Sequence, residues 1–364
     1  MILLYIVFLS AMAILRIMTG FKPQVSTSDG AIIMAAGIVA IGAMHQFPLL
    51  SEIIGPYFVV FMLSLLSWLV FEYAKDGYDR SFYQRHLSDP IKSFAAGTWI
   101  AAISVIINVI AIELPALHNL AEVLFLMNLI LAALFFLIVI RNYFHIFQQP
   151  ALLKKAQGVM LHGCIALQSI AVAGNSLFGG QFPAAASFIL IFAGLFFYML
   201  GIASIFSRYR KSSVLADWDI TNTIIYGGLS ITGLALSLSG LPLADLSAAI
   251  WLTAFTFLLT VELLDITYGY RRLKSMGWRK GLFTYHPAQW ARNFTLGMFL
   301  TFTISLDLSN SFLEAASWAD SLQFGVIEIG KFIVILLFMI EAGIAAVALF
   351  SNFKFNRSTA EINS

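Results

Sequence analysis

Few residues in this 364-residue chain have the type and setting for chemistry. Its imidazoles are His45, His86, His118, His145, His162 and His286, and its one thiol is Cys164. A single cysteine excludes a disulfide framework and any cysteine metal cluster. Only His162 lies clearly inside an apolar run. A transmembrane haem needs two facing histidines, yet His45 falls near the outer end of its run and His162 near the inner end of its own. No phosphate-binding glycine loop, dinucleotide fingerprint or zinc-protease histidine pair appears. The sequence therefore assigns no catalytic residue, no metal and no cofactor, and it does not read as an enzyme. The remaining chemistry is acidic: Glu72, Glu262, Asp265, Glu328 and Glu341 lie in or beside apolar runs. Ionisable groups in lipid are costly and often functional. Glu72, Glu262 and Asp265 stand near the ends of their runs, where they reach water. Glu328 and Lys331 are spaced i,i+3 and can pair. Glu341 is the deepest, on an outer-ring helix and open to a role at a subunit contact. His162 and Glu341 are thus the candidate titratable groups.

The elements that must position these groups are membrane helices. Hydrophobic residues make up 60% of the chain and charged residues 11%, against roughly 25% charged in an average soluble protein. The mean hydropathy is +0.88. So few charges cannot cover a soluble globule of this size, and a net charge of +2 gives nucleic-acid binding no support. A spanning helix needs about 20 mostly apolar residues. Eleven segments qualify: 2–18, 30–48, 53–74, 93–114, 119–141, 158–178, 182–206, 220–240, 245–267, 289–309 and 324–350. The runs are long and do not alternate, so they are helices and not the strands of a barrel. The bases of segment 2–18, Arg16 and Lys22, stand at and after its end and not before it, unlike a signal peptide. The segment is read as a retained helix.

Basic residues fix an expected topology. Lys and Arg cluster after 53–74, 119–141, 182–206 and 245–267 and in the tail, whereas the turns near 49–52, 115–118, 179–181, 241–244 and 310–323 contain none. Basic loops stay cytoplasmic, so residues 30–350 fold as five hairpins with basic inner loops. This places the N-terminus outside and the C-terminus inside. The hairpins form an internal repeat of about 60–65 residues. Their first helices carry glycine, including Gly37, Gly97, Gly163, Gly228 and Gly297, while their second helices are bulkier. Small-residue helices inside and bulky ones facing lipid would enclose a passage. The same glycines equally suit close packing of helix on helix, and composition leaves the two readings open.

Four stretches carry a family likeness. IMAAGIVAI (33–41) resembles the opening helix of the tellurite-resistance/C4-dicarboxylate transporter family. DPIKSFAAGTWIAA (89–102) is similar to the lead-in of its third helix, HGCIALQSIAVAG (162–174) to its fifth, and YHPAQWARNFTLGMF (285–299) to its ninth. The family includes the bacterial tellurite-resistance channel, a fungal malate permease and the plant guard-cell slow anion channel. The resemblance covers about residues 30–350. It implies an all-α integral membrane fold of five tandem hairpins around a central pore, assembled as a homotrimer, with a pore-plugging phenylalanine on the ninth helix. The matching position is Phe294. Two departures surround it: the family's proline after the phenylalanine is Thr295 here, and Arg292 stands where a small or aromatic residue is usual.

The domains expected are an extra N-terminal helix and linker (1–29), the ten-helix anion domain (30–350) and a cytoplasmic tail (351–364). The resemblance implies passage of small anions, inorganic or C4-dicarboxylate, through the cytoplasmic membrane of a prokaryote, without cofactor. Candidate pore-lining groups, from helix role, are Thr98, Ser169, Ser230, Thr232 and Thr301, together with the five glycines named above. Lys92 and Arg292 are placed at the inner mouth, where basic residues raise local anion concentration. Acids in the outer turns (Glu52, Glu113, Asp245, Asp307, Glu314 and Asp320) against a basic inner face favour efflux. Two other classes stay open: a proton-coupled dicarboxylate or sulfite exporter, which needs a titratable pore group, for which His162 alone qualifies, and, more remotely, a membrane electron-transfer subunit.

Overall fold

The computed structural model describes residues 2–19, 25–210, 214, 217–282 and 284–362, with side chains among them except at 12–19, 279–282 and 349–362. The described residues form helices and no strand. The principal ones are α1 (Ile2–Thr19), α2 (Gly30–Ile38), α3 (Pro48–Tyr78), α4 (Gly97–Glu113), α5 (His118–Gln148), the short α6 (Pro150–Leu153), α7 (His162–Phe178), α8 (Ala184–Tyr209), α9 (Ile224–Ser239), α10 (Ala244–Leu282), α11 (Ala288–Ser305) and α12 (Ser317–Ile362). Helix α2 continues through a π-helical turn, Val39–Ala43, and a 3-10 turn, Met44–Gln46. Helices α4, α7 and α9 share a 3-10 lead-in, at Lys92–Ala96, Gly158–Leu161 and Ile220–Thr223. The structural repeat thus extends into the turns that open these helices.

Short turns pair successive helices. Pro48 opens α3 at its first turn, where a missing amide donor costs nothing. Pro115 opens the turn before α5, and Pro183 caps α8. Gly240 closes α9 with φ 65°, the left-handed cap that glycine adopts without a side-chain clash.

Five helices pack in a closed ring: α2 touches α4, α4 touches α7, α7 touches α9, α9 touches α11, and α11 returns to α2. Helices α3, α5, α8, α10 and α12 lie outside them. Burial separates the two sets: 89% of the apolar window within Gly158–Gln181 is buried, but 11% of that within Ser317–Ala348. On α5, Leu126, Ile130, Leu134 and Leu137 follow helical spacing and are all exposed, the pattern of a face turned to lipid.

By length and composition, seven helical stretches are suited to crossing a membrane: Pro48–Tyr78, Lys92–Glu113, Pro115–Gln148, Gly158–Gln181, Ala184–Tyr209, Ala244–Trp278 and Ser317–Ala348. The sequence suggested eleven spans. The difference lies in the ring and the first helix: α2 is short, and α9 and α11 carry glycines, hydroxyls and, on α11, Arg292. A helix shielded by other helices does not need the apolar length that lipid contact demands.

One orientation differs from the sequence expectation. Tyr5 hydrogen-bonds Ser67 at 2.6 Å, and Phe8 packs edge-on against Phe61. Three residues forward on α1 therefore correspond to six backward on α3, so α1 runs antiparallel to α3. The start of α1 lies toward the end of α3 that carries Lys75, the basic end, and not toward the opposite end where the N-terminus was expected.

Candidate functional site

The region around Phe294 is built by α9, α10 and α11. Phe294 is among the largest fully buried side chains, at 1% exposure. Beside it, Thr295 Oγ1 lies 3.0 Å from the Tyr226 hydroxyl and 2.9 Å from the Arg292 carbonyl, and shares its one proton between them. Tyr226 in turn donates to Glu262 Oε1 at 2.9 Å. Arg292 contacts Glu262 through Nη2, and its Nε lies 3.8 Å from Asp265 Oδ2. Trp218 Nε1 donates to Asp265 Oδ1 at 2.5 Å. A polar network thus runs from Trp218 through Asp265, Arg292, Glu262 and Tyr226 to Thr295, next to Phe294 in the chain.

This network changes the role expected of Arg292. The sequence offered it as an inner-mouth cation and let Glu262 and Asp265 reach water. In the structure two carboxylates face one guanidinium, so its charge is cancelled where it arises. The signal was present in the sequence. A lone arginine in an apolar helix requires a counter-charge, and Glu262 and Asp265, i,i+3 on the preceding span, supply it. Tyr226 and Trp218 had no such signal, because nothing in their spacing marks them as partners of these acids.

The glycines proposed as lining all face neighbouring side chains. A Cβ on Gly37 would lie 1.9 Å from Val105 Cγ1, on Gly97 2.7 Å from His162 Cβ, and on Gly297 2.6 Å from Ile38 Cγ2. Gly163 looks toward Val139 and Phe197, and Gly228 toward Tyr198. Their missing side chains let ring helices meet one another and the outer helices, the packing role that the sequence left open beside the lining role. Gly42, in the π-helical turn, brings that turn against Thr301 and Gly297 of α11. Irregular turns of this kind recur at functional sites.

The candidate hydroxyls are all buried and bond back to the main chain. Ser169 donates to Ala166 O at 2.9 Å, Ser230 to Tyr226 O at 2.7 Å, Thr232 to Gly228 O at 2.7 Å and Thr301 to Gly297 O at 2.8 Å. Thr98 Oγ1 lies 2.8 Å from Ala95 O and 3.3 Å from Thr27 O. The segment before α2 is fixed by a buried relay absent from the sequence expectations. His86 Nδ1 meets Thr27 Oγ1 at 2.9 Å, its Nε2 meets Asp76 Oδ2 at 3.0 Å, and Asp76 Oδ1 accepts from Arg85 at 2.5 Å.

Of the remaining candidates, Lys92 is exposed at the lead-in to α4. His162, the first residue of α7, is buried and donates Nδ1–H to Val159 O at 2.9 Å. Glu341 is buried on α12, and its Oε1 has no hydrogen-bond partner among the described residues. Glu328 and Lys331 pair at 2.8 Å. No group of three or more His, Cys, Asp or Glu side chains suited to a metal ion occurs among the described residues.

Compared with known proteins, the chain matches a family model described as voltage-dependent anion channel over residues 24–347. No curated protein matches it.

Proposed function

Because the chain belongs to the voltage-dependent anion channel family, a family of channels and transporters and not of enzymes, we propose that this multi-pass membrane protein passes small anions along the axis of its helix ring. The closed ring of α2, α4, α7, α9 and α11 carries this reading: the most enclosed helices surround one axis, and the bulky helices screen them from lipid. Phe294 is the proposed gate. It is buried on a ring helix, one residue before Thr295, whose hydroxyl ties it to Tyr226 of α9. A ring of this size in an apolar tube excludes hydrated ions. We assign the chain to a homotrimer, with the basic loops cytoplasmic and net flux outward. The family resemblance supports the trimer, the basic loops support the orientation, and the acidic outer turns support the direction.

The test is current measurement on the purified protein in planar bilayers, with anions replaced on one side. A reversal potential that follows the anion gradient is expected. Current that follows the cation gradient, or no anion current in either wild type or Phe294→Ala, overturns the reading. Proton-coupled export is the second reading: it needs a titratable group on the path, and His162, buried at the start of the ring helix α7, is the candidate. It predicts anion uptake into vesicles that is driven by a proton gradient and lost in His162→Gln.

A further inference from the structure

A cluster of basic side chains lies at the end of the molecule where the ring helices begin. There a pocket of about 350 Å³ opens between the lead-in to α4, the loop after α6 and the end of α8. Lys92, Lys154, Lys155 and Arg208 line it, with two carboxylates, Asp89 and Asp217.

The acids are already committed. Asp89 Oδ1 accepts from the backbone amides of Ile91, at 2.8 Å, and Lys92, at 2.9 Å. Asp217 takes Arg208 in a two-pronged pair, Nε to Oδ2 at 2.9 Å and Nη2 to Oδ1 at 2.8 Å. Arg208 also donates Nη1 to Ala156 O at 2.8 Å, which holds the wall of the pocket in place. The three lysines form no ion pair among the described residues. A preference for basic inner loops explains why lysines occur in these loops. It does not explain why three of them converge on one recess whose acids already have other partners.

From this we propose that the pocket binds a phosphate-bearing ligand, its charge held by Lys92, Lys154 and Lys155. Ammonium groups on flexible stems are point-charge donors that suit a phosphate of variable pose. The volume admits a pyrophosphate or a phospholipid headgroup. A monovalent inorganic anion would neutralise one lysine and leave two repelling each other, so the site selects polyvalent anions over the small ions assigned to the ring axis. Occupancy would add a bridge between the lead-ins of α4 and α7 and the end of α8, segments that already touch.

The full-length protein in detergent is titrated with sodium pyrophosphate at constant ionic strength while its melting midpoint is followed. Phosphatidylglycerol adducts are counted in parallel by native mass spectrometry, with phosphatidylcholine as the neutral reference. The variants are Lys154→Gln/Lys155→Gln, exposed positions without an ion-pair partner among the described residues, and Lys274→Gln, an exposed lysine on α10 outside the pocket. We expect saturable binding of at least one probe, weakened tenfold or more in Lys154→Gln/Lys155→Gln and unchanged in Lys274→Gln. Loss of pyrophosphate binding identifies a soluble phosphate as the ligand, and loss of phosphatidylglycerol adducts identifies a lipid headgroup. If neither probe binds, or if both bind the double variant as well as wild type, the proposal is overturned. Bilayer currents are recorded separately, so this outcome does not depend on the anion pathway.

Discussion

The network around Arg292 makes a quantitative claim. Two unit charges 4 Å apart interact by about 4 kcal/mol at an effective dielectric near 20. Arg292 touches Glu262 and stands 3.8 Å from Asp265, but the side chains of Arg292 and Glu262 are 32% and 16% exposed. Solvent screening and the cost of desolvation reduce the net coupling of the Arg292–Glu262 pair to about 2 kcal/mol. Glu262→Gln then costs about 2 kcal/mol. Arg292→Gln costs about 3 kcal/mol, because it leaves Glu262 and Asp265 facing each other with no cation between them. The double variant Glu262→Gln/Arg292→Gln loses less than the sum of the two, by about 2 kcal/mol. Melting midpoints of the four proteins in one detergent, with anion conductance on the same preparations, close the cycle. Independent effects, additive within about 0.5 kcal/mol, would refute the pairing. Conductance gives a second criterion. A free cation at the mouth makes Arg292→Gln lower anion current whether or not Glu262 is present, whereas a neutralised one lets the double variant conduct like wild type.

Three further outcomes follow from single positions. Phe294→Ala raises anion conductance if the ring is the gate; loss of a buried phenylalanine in a packed core costs about 3–5 kcal/mol, so lower melting with unchanged conductance would make it core and not gate. Gly233→Ala sets a Cβ 2.0 Å from the Phe302 ring, and overpacking of this kind lowers stability by about 1–3 kcal/mol, read as a lower melting midpoint; an unshifted midpoint would show that α9 and α11 separate freely. Asp29, at the start of α2 outside its apolar run, is pushed up to about 6 by burial, against a smaller opposing effect from its bond to the Ser26 amide. The folded protein therefore holds this proton more tightly than the unfolded chain, so the melting midpoint falls as pH rises from about 4 to about 6, and Asp29→Asn removes that slope.

The hairpin repeat was legible because it rests on two strong signals: runs long enough to span a bilayer, and basic residues placed at one end of each pair. Both arise from contact with lipid and water, which the sequence records directly. Ring contacts are recorded less directly. Gly37 and Gly97 signalled close approach, but the partner that fills the gap, Val105 in one case and His162 in the other, depends on which helices become neighbours. Arg292 signalled a need for a counter-charge, and only the packing of α11 beside α10 selects Glu262 and Asp265. The His86 relay left no mark, since Thr27, Asp76 and His86 stand far apart in the chain with no helical spacing. The direction of α1 relative to α3 differs from the expectation for a related reason. Alternating topology assumes that every apolar run crosses once and is followed by its return, and the contacts of Tyr5 and Phe8 with α3 do not follow that order.

The hydroxyls of the ring bear on selectivity in a way that composition could not show. Serines and threonines on ring helices suggested donors for a passing anion. A hydroxyl has one proton, however, and those of Ser169, Ser230, Thr232 and Thr301 are each spent on a carbonyl three or four residues back. A carbonyl oxygen can only accept, so the proton points into the helix and the lone pairs point away from it. If these hydroxyls face the proposed path, they turn oxygen lone pairs toward it, where an anion would seek protons. The guanidinium of Arg292, near the proposed gate, is cancelled by Glu262 and Asp265. On the proposed path, neither the Arg292 charge nor these four hydroxyl protons are then free to hold an anion. Discrimination then falls to width and to the cost of shedding water in an apolar tube, the property that Phe294 controls if it is the gate. Such a tube ranks anions by ease of dehydration. Permeability should accordingly rise from chloride to nitrate, and a hydroxyl-deleting change such as Thr232→Val should leave that order intact while altering its magnitude little.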